Sequence, residues 1–166
     1  MQKNNSFMSL PKYKYNFNFF NWIKKSELIA LDEINTEDDP IRPELSNKFR
    51  TSQGRKIFGL KYNEEIEGVV CIAFTNDIPT TVKELELMST DENKGKIAVA
   101  YTLWSFKKGA GKKIMKELLR YMKNKNQLDS VMTLSPLSPM ATHYHIRNGA
   151  KLVRINPTSQ NFEYTV

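Results

Sequence analysis

Hydrophobic and polar positions along this chain change period several times, and each change marks a different element. Residues 1–16 mix polar and aromatic side chains without a period and are expected to form a loosely held arm. From Phe17 to Ile34 apolar residues recur near helical spacing, at Phe19, Phe20, Ile23, Leu28 and Leu31. That spacing predicts a helix or helix pair ended by Asp38, Asp39 and Pro40. Another short helix is expected within Pro43–Phe49. After Gly54, KIFGLKY and EGVVCIAFT are rich in β-branched and aromatic residues and are separated by the polar turn NEE, the pattern of a hairpin. IPTTVKELELM carries Pro near its start and a helix-compatible tail, STDENKG reads as a loop, and KIAVAYTLWS is the clearest strand of the chain.

GAGKKIMKELLRYMKNKN is amphipathic. Ile114, Met115, Leu118, Leu119 and Met122 form one stripe, while Lys112, Lys116, Arg120 and Lys123 mostly face away. DSVMTLS predicts a strand, PMATHYHIRNGA a short helix closed by Gly149, and KLVRI and NFEYTV two closing strands. Strands alternating with helices in this order indicate a mixed α/β fold. A chain of 166 residues buries one sizeable core, so residues 1–53, an arm with helices, are expected to belong to the same domain as the core at 54–166.

Composition narrows the class. Hydrophobic residues at 40% and charged residues at 26% are ordinary for a globular protein, and no stretch is long enough to cross a bilayer. The N-terminus lacks a long apolar segment with a small-residue cleavage site, so a cytoplasmic location is expected. Cys71, the sole cysteine, excludes an internal disulfide and a thiolate metal cluster; in its apolar run it reads as a buried, inert thiol. His143 and His145 are two apart and would leave a helix on different faces, so no metal is expected.

The formal charge of +7 favours an anionic partner without distinguishing RNA, a membrane surface or a phosphorylated cofactor. Against nucleic acid, Lys112, Lys116 and Lys123 are not interleaved with the exposed aromatics of a base-stacking surface. Strand, then FKKGAGKK, then helix is the arrangement that binds a diphosphate, because small residues let backbone N–H groups approach and the helix N-terminus adds positive potential. Gly109, Ala110 and Gly111 would form that cradle, with Lys107, Lys108 and Lys112 adding charge. By itself the motif leaves open a plain tight turn beside a solvated lysine face. It is not a P-loop, and no third glycine completes a dinucleotide fingerprint.

Two motifs carry a resemblance. Phe106–Gly111 resembles the acyl-CoA pyrophosphate loop of GNAT enzymes, [Q/R]-x-x-G-x-[G/A], with Phe106 in place of the polar first residue. Tyr144–Ala150 resembles that fold's short helix ending in Gly-[F/A], with His145 where a tyrosine is usual. More specifically, TLSPLS followed by HIRNGAKLVRIN is similar to the LSPIP-type and H-x-x-N-G-A-x-L-x-R-I-N motifs of malonyl-CoA decarboxylase, whose catalytic domain is a GNAT fold. RKIFGLKY, VVCIAFTNDIP, AVAYTLWS and NFEY follow that family in the same order, so the resemblance covers residues 54–166. Only a brief link joins Ser135 to His145 where that family has a long insertion.

The resemblance implies a GNAT-like α/β fold with a mostly antiparallel sheet flanked by helices. It also implies a coenzyme A thioester, malonyl-CoA or acetyl-CoA, as the small-molecule substrate. Ser135 and His145 fall on the catalytic serine and histidine, and Tyr164 and Asn148 on the substrate side. The implied reaction converts malonyl-CoA or a related acyl-CoA to acetyl-CoA and carbon dioxide, with Ser135 orienting the substrate and protonated His145 delivering a proton. An imidazole that titrates near neutral pH suits that task. One alternative is a GNAT N-acetyltransferase, with a base among Glu64, Glu65, Glu67 and Glu86; another is a non-catalytic basic binding module. The N-terminal arm, with Trp22 and several Phe and Tyr residues, would either cover the acyl site or form a homo-oligomer contact.

Overall fold

Where a helix was expected up to Ile34, the computed structural model, which describes residues 25–166, has a strand, β1 (Glu27–Leu31). It pairs antiparallel with β2 (Lys56–Tyr62), Leu28 opposite Leu60 and Leu31 opposite Ile57. Leu28 and Leu31 are three apart, which suits a helix face, but in a strand an odd spacing sends them to opposite faces. Each packs against a different core cluster. Docking on an available sheet edge thus overrides local spacing. The rest of the expected helix, and the arm, lie outside the described residues.

The hairpin of β2 and β3 (Glu65–Thr75) forms as expected, with Asn63 in the left-handed conformation its turn requires. Then follow α2 (Val82–Met88), β4 (Ile97–Ser105), α3 (Ala110–Lys123), β5 (Ser130–Thr133) and β6 (Ser135–Pro136). The chain closes with α4 (Pro139–Arg147), β7 (Lys151–Ile155) and β8 (Ser159–Tyr164). The eight strands make one sheet in the order β1-β2-β3-β4-β5-β8-β6, with β7 on β8, and every pairing is antiparallel except β4 with β5. Among the described residues no helix is long and apolar enough to cross a membrane.

The predicted stripe of α3 is its buried face: Ile114, Met115, Leu118 and Met122 pack on Val70, Ile72, Phe74, Ala98 and Ala100. Each such side chain contributes about 2 kcal/mol by leaving water. The opposite sheet face carries Ile57, Val69, Cys71, Val99, Met132 and Leu134, covered by Leu85 of α2 and Phe49 of α1 (Asn47–Thr51). The α1 helix lies at the end of the segment where a short helix was expected, with Ser46 Oγ accepting from the Phe49 N–H as its cap.

A fully buried ion pair fixes the segment before α1 beneath β4. Asp39 Oδ2 accepts from Arg50 Nη2 at 2.9 Å and from Thr102 Oγ1 at 2.8 Å, while Oδ1 accepts from the amides of Ile41 and Arg42.

One irregularity prepares the site. Strands β4 and β5 run in register from Ile97 opposite Ser130 to Ala100 opposite Thr133, and their last rung is the Leu134 N–H donating to the Ala100 carbonyl at 2.9 Å. At Tyr101 a bulge interrupts β4, since Ile72 pairs with Ala100 and Cys71 with Thr102. Beyond it β4 continues to Ser105 while the other strand turns into β6, so the two part.

Candidate active site

Period-two alternation puts the Thr133 and Ser135 side chains on the sheet face covered by α3 and α4. The α4 helix is started by Ser138, whose hydroxyl accepts from the Ala141 N–H, with Pro139 at its first position. It ends at Gly149, whose φ of 89° is the left-handed conformation that favours glycine. This length brings His145 over the end of β5. Its Nε2 lies 2.8 Å from Ser135 Oγ and its Nδ1 2.8 Å from Tyr164 Oη. Ser135 Oγ lies 2.8 Å from Thr133 Oγ1, which accepts from the Phe162 N–H at 3.1 Å. The imidazole stacks on Phe162 with ring centroids 4.8 Å apart. Thr133, Ser135, His145 and Tyr164 therefore form one hydrogen-bonded line from the core to the place where β4 and β5 part.

Asparagines brace it. Asn161 donates to the Thr133 carbonyl at 2.8 Å and to the Pro79 carbonyl at 3.0 Å, and Asn156 donates to Asn161 Oδ1 and Ser159 Oγ. The final asparagine of HIRNGAKLVRIN is thus a support for β8. Asn148, expected on the substrate side, donates its side-chain N–H to the Tyr144 carbonyl at 2.8 Å and caps α4.

Burial sets the electrostatics. His145 is 8% exposed, and desolvation drives it from the ordinary 6.5 down to about 4. Titration near neutral pH, expected from the residue type, is corrected by this burial: in the free protein at pH 7 the ring is neutral and one nitrogen donates while the other accepts. Burial also raises Tyr144 and Tyr164, which stay phenols. Cys71 is pushed up to about 11 by burial, in keeping with an inert thiol.

At the glycine turn, Gly109 has φ 82° and α3 begins with no side-chain cap. Among the described residues the amides of Gly111 and Lys112 have no acceptor. A Cβ on Gly111 would sit 3.4 Å from the Tyr144 ring, and Tyr144 Oη donates to the Gly111 carbonyl at 2.7 Å, tying α4 to the first turn of α3. Ala110 is buried beneath the turn, and Lys108 and Lys112 are exposed beside it. Lys107 pairs with Glu65 at 3.0 Å. An open depression lined by Leu137, Ser138, Thr142, exposed His143 and Gln160 lies on the outer side of α4, and Ser135, His145 and Tyr164 are not part of its lining.

Three participants escaped the sequence reading. Thr133 had a usable signal, since a residue two before Ser135 in a strand shares its face. Tyr144 stood inside a recognised motif, but its partner did not. Arg42 had no local signal: its guanidinium crosses under the sheet to the carbonyls of Tyr101 and, at 3.1 Å, of Leu134.

No protein-family model matches the chain, and no curated protein matches it in sequence. Solved structures do. Malonyl-CoA decarboxylase from Rhodopseudomonas palustris superposes with a TM-score of 0.65 over 85% of this chain at 14% identity, and the chain spans 60% of that protein's length. The loading GNATL domain of CurA from Lyngbya majuscula gives a TM-score of 0.62 at 15% identity, covering 84% of this chain and 97% of that one. A Bacillus subtilis acetyltransferase in complex with CoA gives 0.61 at 11% identity, covering 86% and 99%. The eight-stranded, mostly antiparallel sheet with its flanking helices is therefore a GNAT-like α/β fold, as expected, shared with a malonyl-CoA decarboxylase and with acetyltransferases.

Proposed function

We propose that this protein is an acyl-CoA-binding enzyme that converts malonyl-CoA, or a related acyl-CoA, to acetyl-CoA and carbon dioxide. The observation that carries this reading is the hydrogen-bonded line through Ser135, His145 and Tyr164 at the β4–β5 split. In the bound complex the coenzyme's diphosphate takes the acceptor-free amides of Gly111 and Lys112, with Gly109 and Ala110 shaping the turn and Lys108, Lys112 and Lys107 supplying charge. The thioester lies in the split, beside Ser135.

Decarboxylation breaks the bond between carboxylate and α-carbon; the electron pair moves into a thioester enolate, and carbon dioxide leaves neutral. The carbon then needs one proton. Because His145 Nε2 already faces Ser135 Oγ, the serine relays it: its hydroxyl proton goes to the enolate carbon as it takes the Nε2 proton of the imidazolium. The ring is neutral in the free protein and gains its proton when the anionic acyl group is bound beside it, since a nearby negative charge favours the charged form. One solvent proton is consumed per turnover, which balances the reaction. Tyr164 holds the ring at Nδ1, and Thr133 fixes the serine rotamer.

The test is incubation with malonyl-CoA alone, following acetyl-CoA by mass. Acetyl-CoA formed without an amine supports the decarboxylase. Free CoA released only when an amine is added identifies an N-acetyltransferase instead, and salt-sensitive RNA retention without an acyl-CoA thermal shift identifies a binding module.

A further inference from the structure

Arg42 is 9% exposed and lies where β4 and β5 part. Its Nη1 donates to the Tyr101 carbonyl on β4, and its Nη2 donates at 3.1 Å to the carbonyl of Leu134, the residue before Ser135. In a continued parallel ladder the Leu134 carbonyl would accept from the next amide of β4. The bulge at Tyr101 displaces that donor, and the guanidinium stands in for it. Leu134 packs in the cluster on the α1 side of the sheet, whereas Ser135 faces His145 on the other side. Cation and serine–histidine couple therefore flank the split from opposite faces.

Burial outweighs the pull of Asp39 and Glu44 on the Arg42 charge, and among the described residues neither carboxylate forms an ion pair with it. Asp39, three residues before it, is committed to Arg50 and Thr102, and Glu44, two residues after it, forms no ion pair with it. Among the described residues Arg42 forms no ion pair, and residues 1–24 contain no Asp or Glu at all. A guanidinium stays ionised in proteins and carries five N–H donors, of which the two carbonyl bonds use two. Burying such a charge unpaired is costly, and the cost is recovered when an anion arrives.

We infer that Arg42 recognises the carboxylate at the far end of the acyl chain, so that the substrate class is a dicarboxylic, malonyl-type thioester rather than an acetyl thioester. This rests on the acyl-CoA reading of the split. As carbon dioxide leaves, negative charge moves from the carboxylate to the thioester oxygen close by and stays in the field of the same cation. That cation also opposes an incoming ammonium, which disfavours an amine acceptor.

The probes are two inert thioethers, S-(2-carboxyethyl)-CoA and S-propyl-CoA, which differ at the carboxylate and can be neither decarboxylated nor transferred. Calorimetry on the full chain is expected to show about tenfold tighter binding of the carboxyethyl compound, a preference lost in Arg42→Met while S-propyl-CoA binds as before. Since Arg42 also bridges two strands, Arg42→Lys is measured alongside; it keeps the charge and is expected to retain part of the preference. Equal wild-type affinities overturn the inference and leave the acyl-CoA reading standing, whether or not Arg42→Met folds. A preference unchanged in a folded Arg42→Met also overturns it. Binding of neither thioether removes the acyl-CoA reading itself, and the inference with it.

Discussion

Lowering the pH from 7 to 5 should destabilise this protein through one buried ring. His145 has an ordinary pKa of 6.5 in the unfolded chain and about 4 in the folded one, because desolvation penalises its charged form. Between those values the unfolded chain binds a proton that the folded chain refuses, so stability falls as pH falls through the window and is complete above it. The full shift is worth roughly 3 kcal/mol, of which about 2 kcal/mol is lost between pH 7 and pH 5. For a chain of this size that corresponds to a fall in Tm of about 4–8 °C.

Carboxylates titrate nearby in pH, so the quantity to measure is the difference between wild type and His145→Gln by chemical denaturation at pH 5, 6 and 7. The glutamine variant loses some stability at every pH, but it has no ring to charge. The wild-type advantage should therefore shrink by about 2 kcal/mol from pH 7 to pH 5. An advantage that stays constant across that range would refute the argument that the ring is held neutral by burial, and with it the need for an anionic ligand to charge it.

Other expectations follow from single contacts. Thr133→Val removes the acceptor of the buried Phe162 N–H and the partner of Ser135 Oγ, and should cost about 1–3 kcal/mol in urea denaturation while lowering malonyl-CoA turnover. Asp39→Asn leaves the fully buried Arg50 without its counter-charge and should cost about 3–5 kcal/mol by the same measurement. Gly111→Glu drives a side chain toward the Tyr144 ring and a negative charge into the diphosphate cradle; CoA should then no longer raise the Tm. His145→Ala should do the opposite, retaining the CoA-induced shift while turnover falls by about 10²–10⁴.

Elements whose signal is local were legible in the chain itself. The α3 stripe, the β2–β3 hairpin and the glycine turn follow from periodicity and turn chemistry, because those patterns report which side of an element meets water. Ser135 and His145 were also named from sequence, through motifs separated by only ten positions, and the structure brings them to 2.8 Å. What the residues alone could not say is how that pair sits. The neutral state of His145 depends on how completely α4, Phe162 and Tyr164 exclude water from it, a property of packing. The strand at Glu27–Leu31 depends on a sheet edge some thirty residues away, where Leu28 meets Leu60. Arg42 depends on a bulge at Tyr101 and a strand end at Leu134, contacts 59 and 92 positions distant. Sequence pattern thus decided which faces are buried and offered Ser135 and His145 as candidates for the chemistry; only the tertiary structure decided which charges are paired, because pairing is set by neighbours that the chain order keeps far apart.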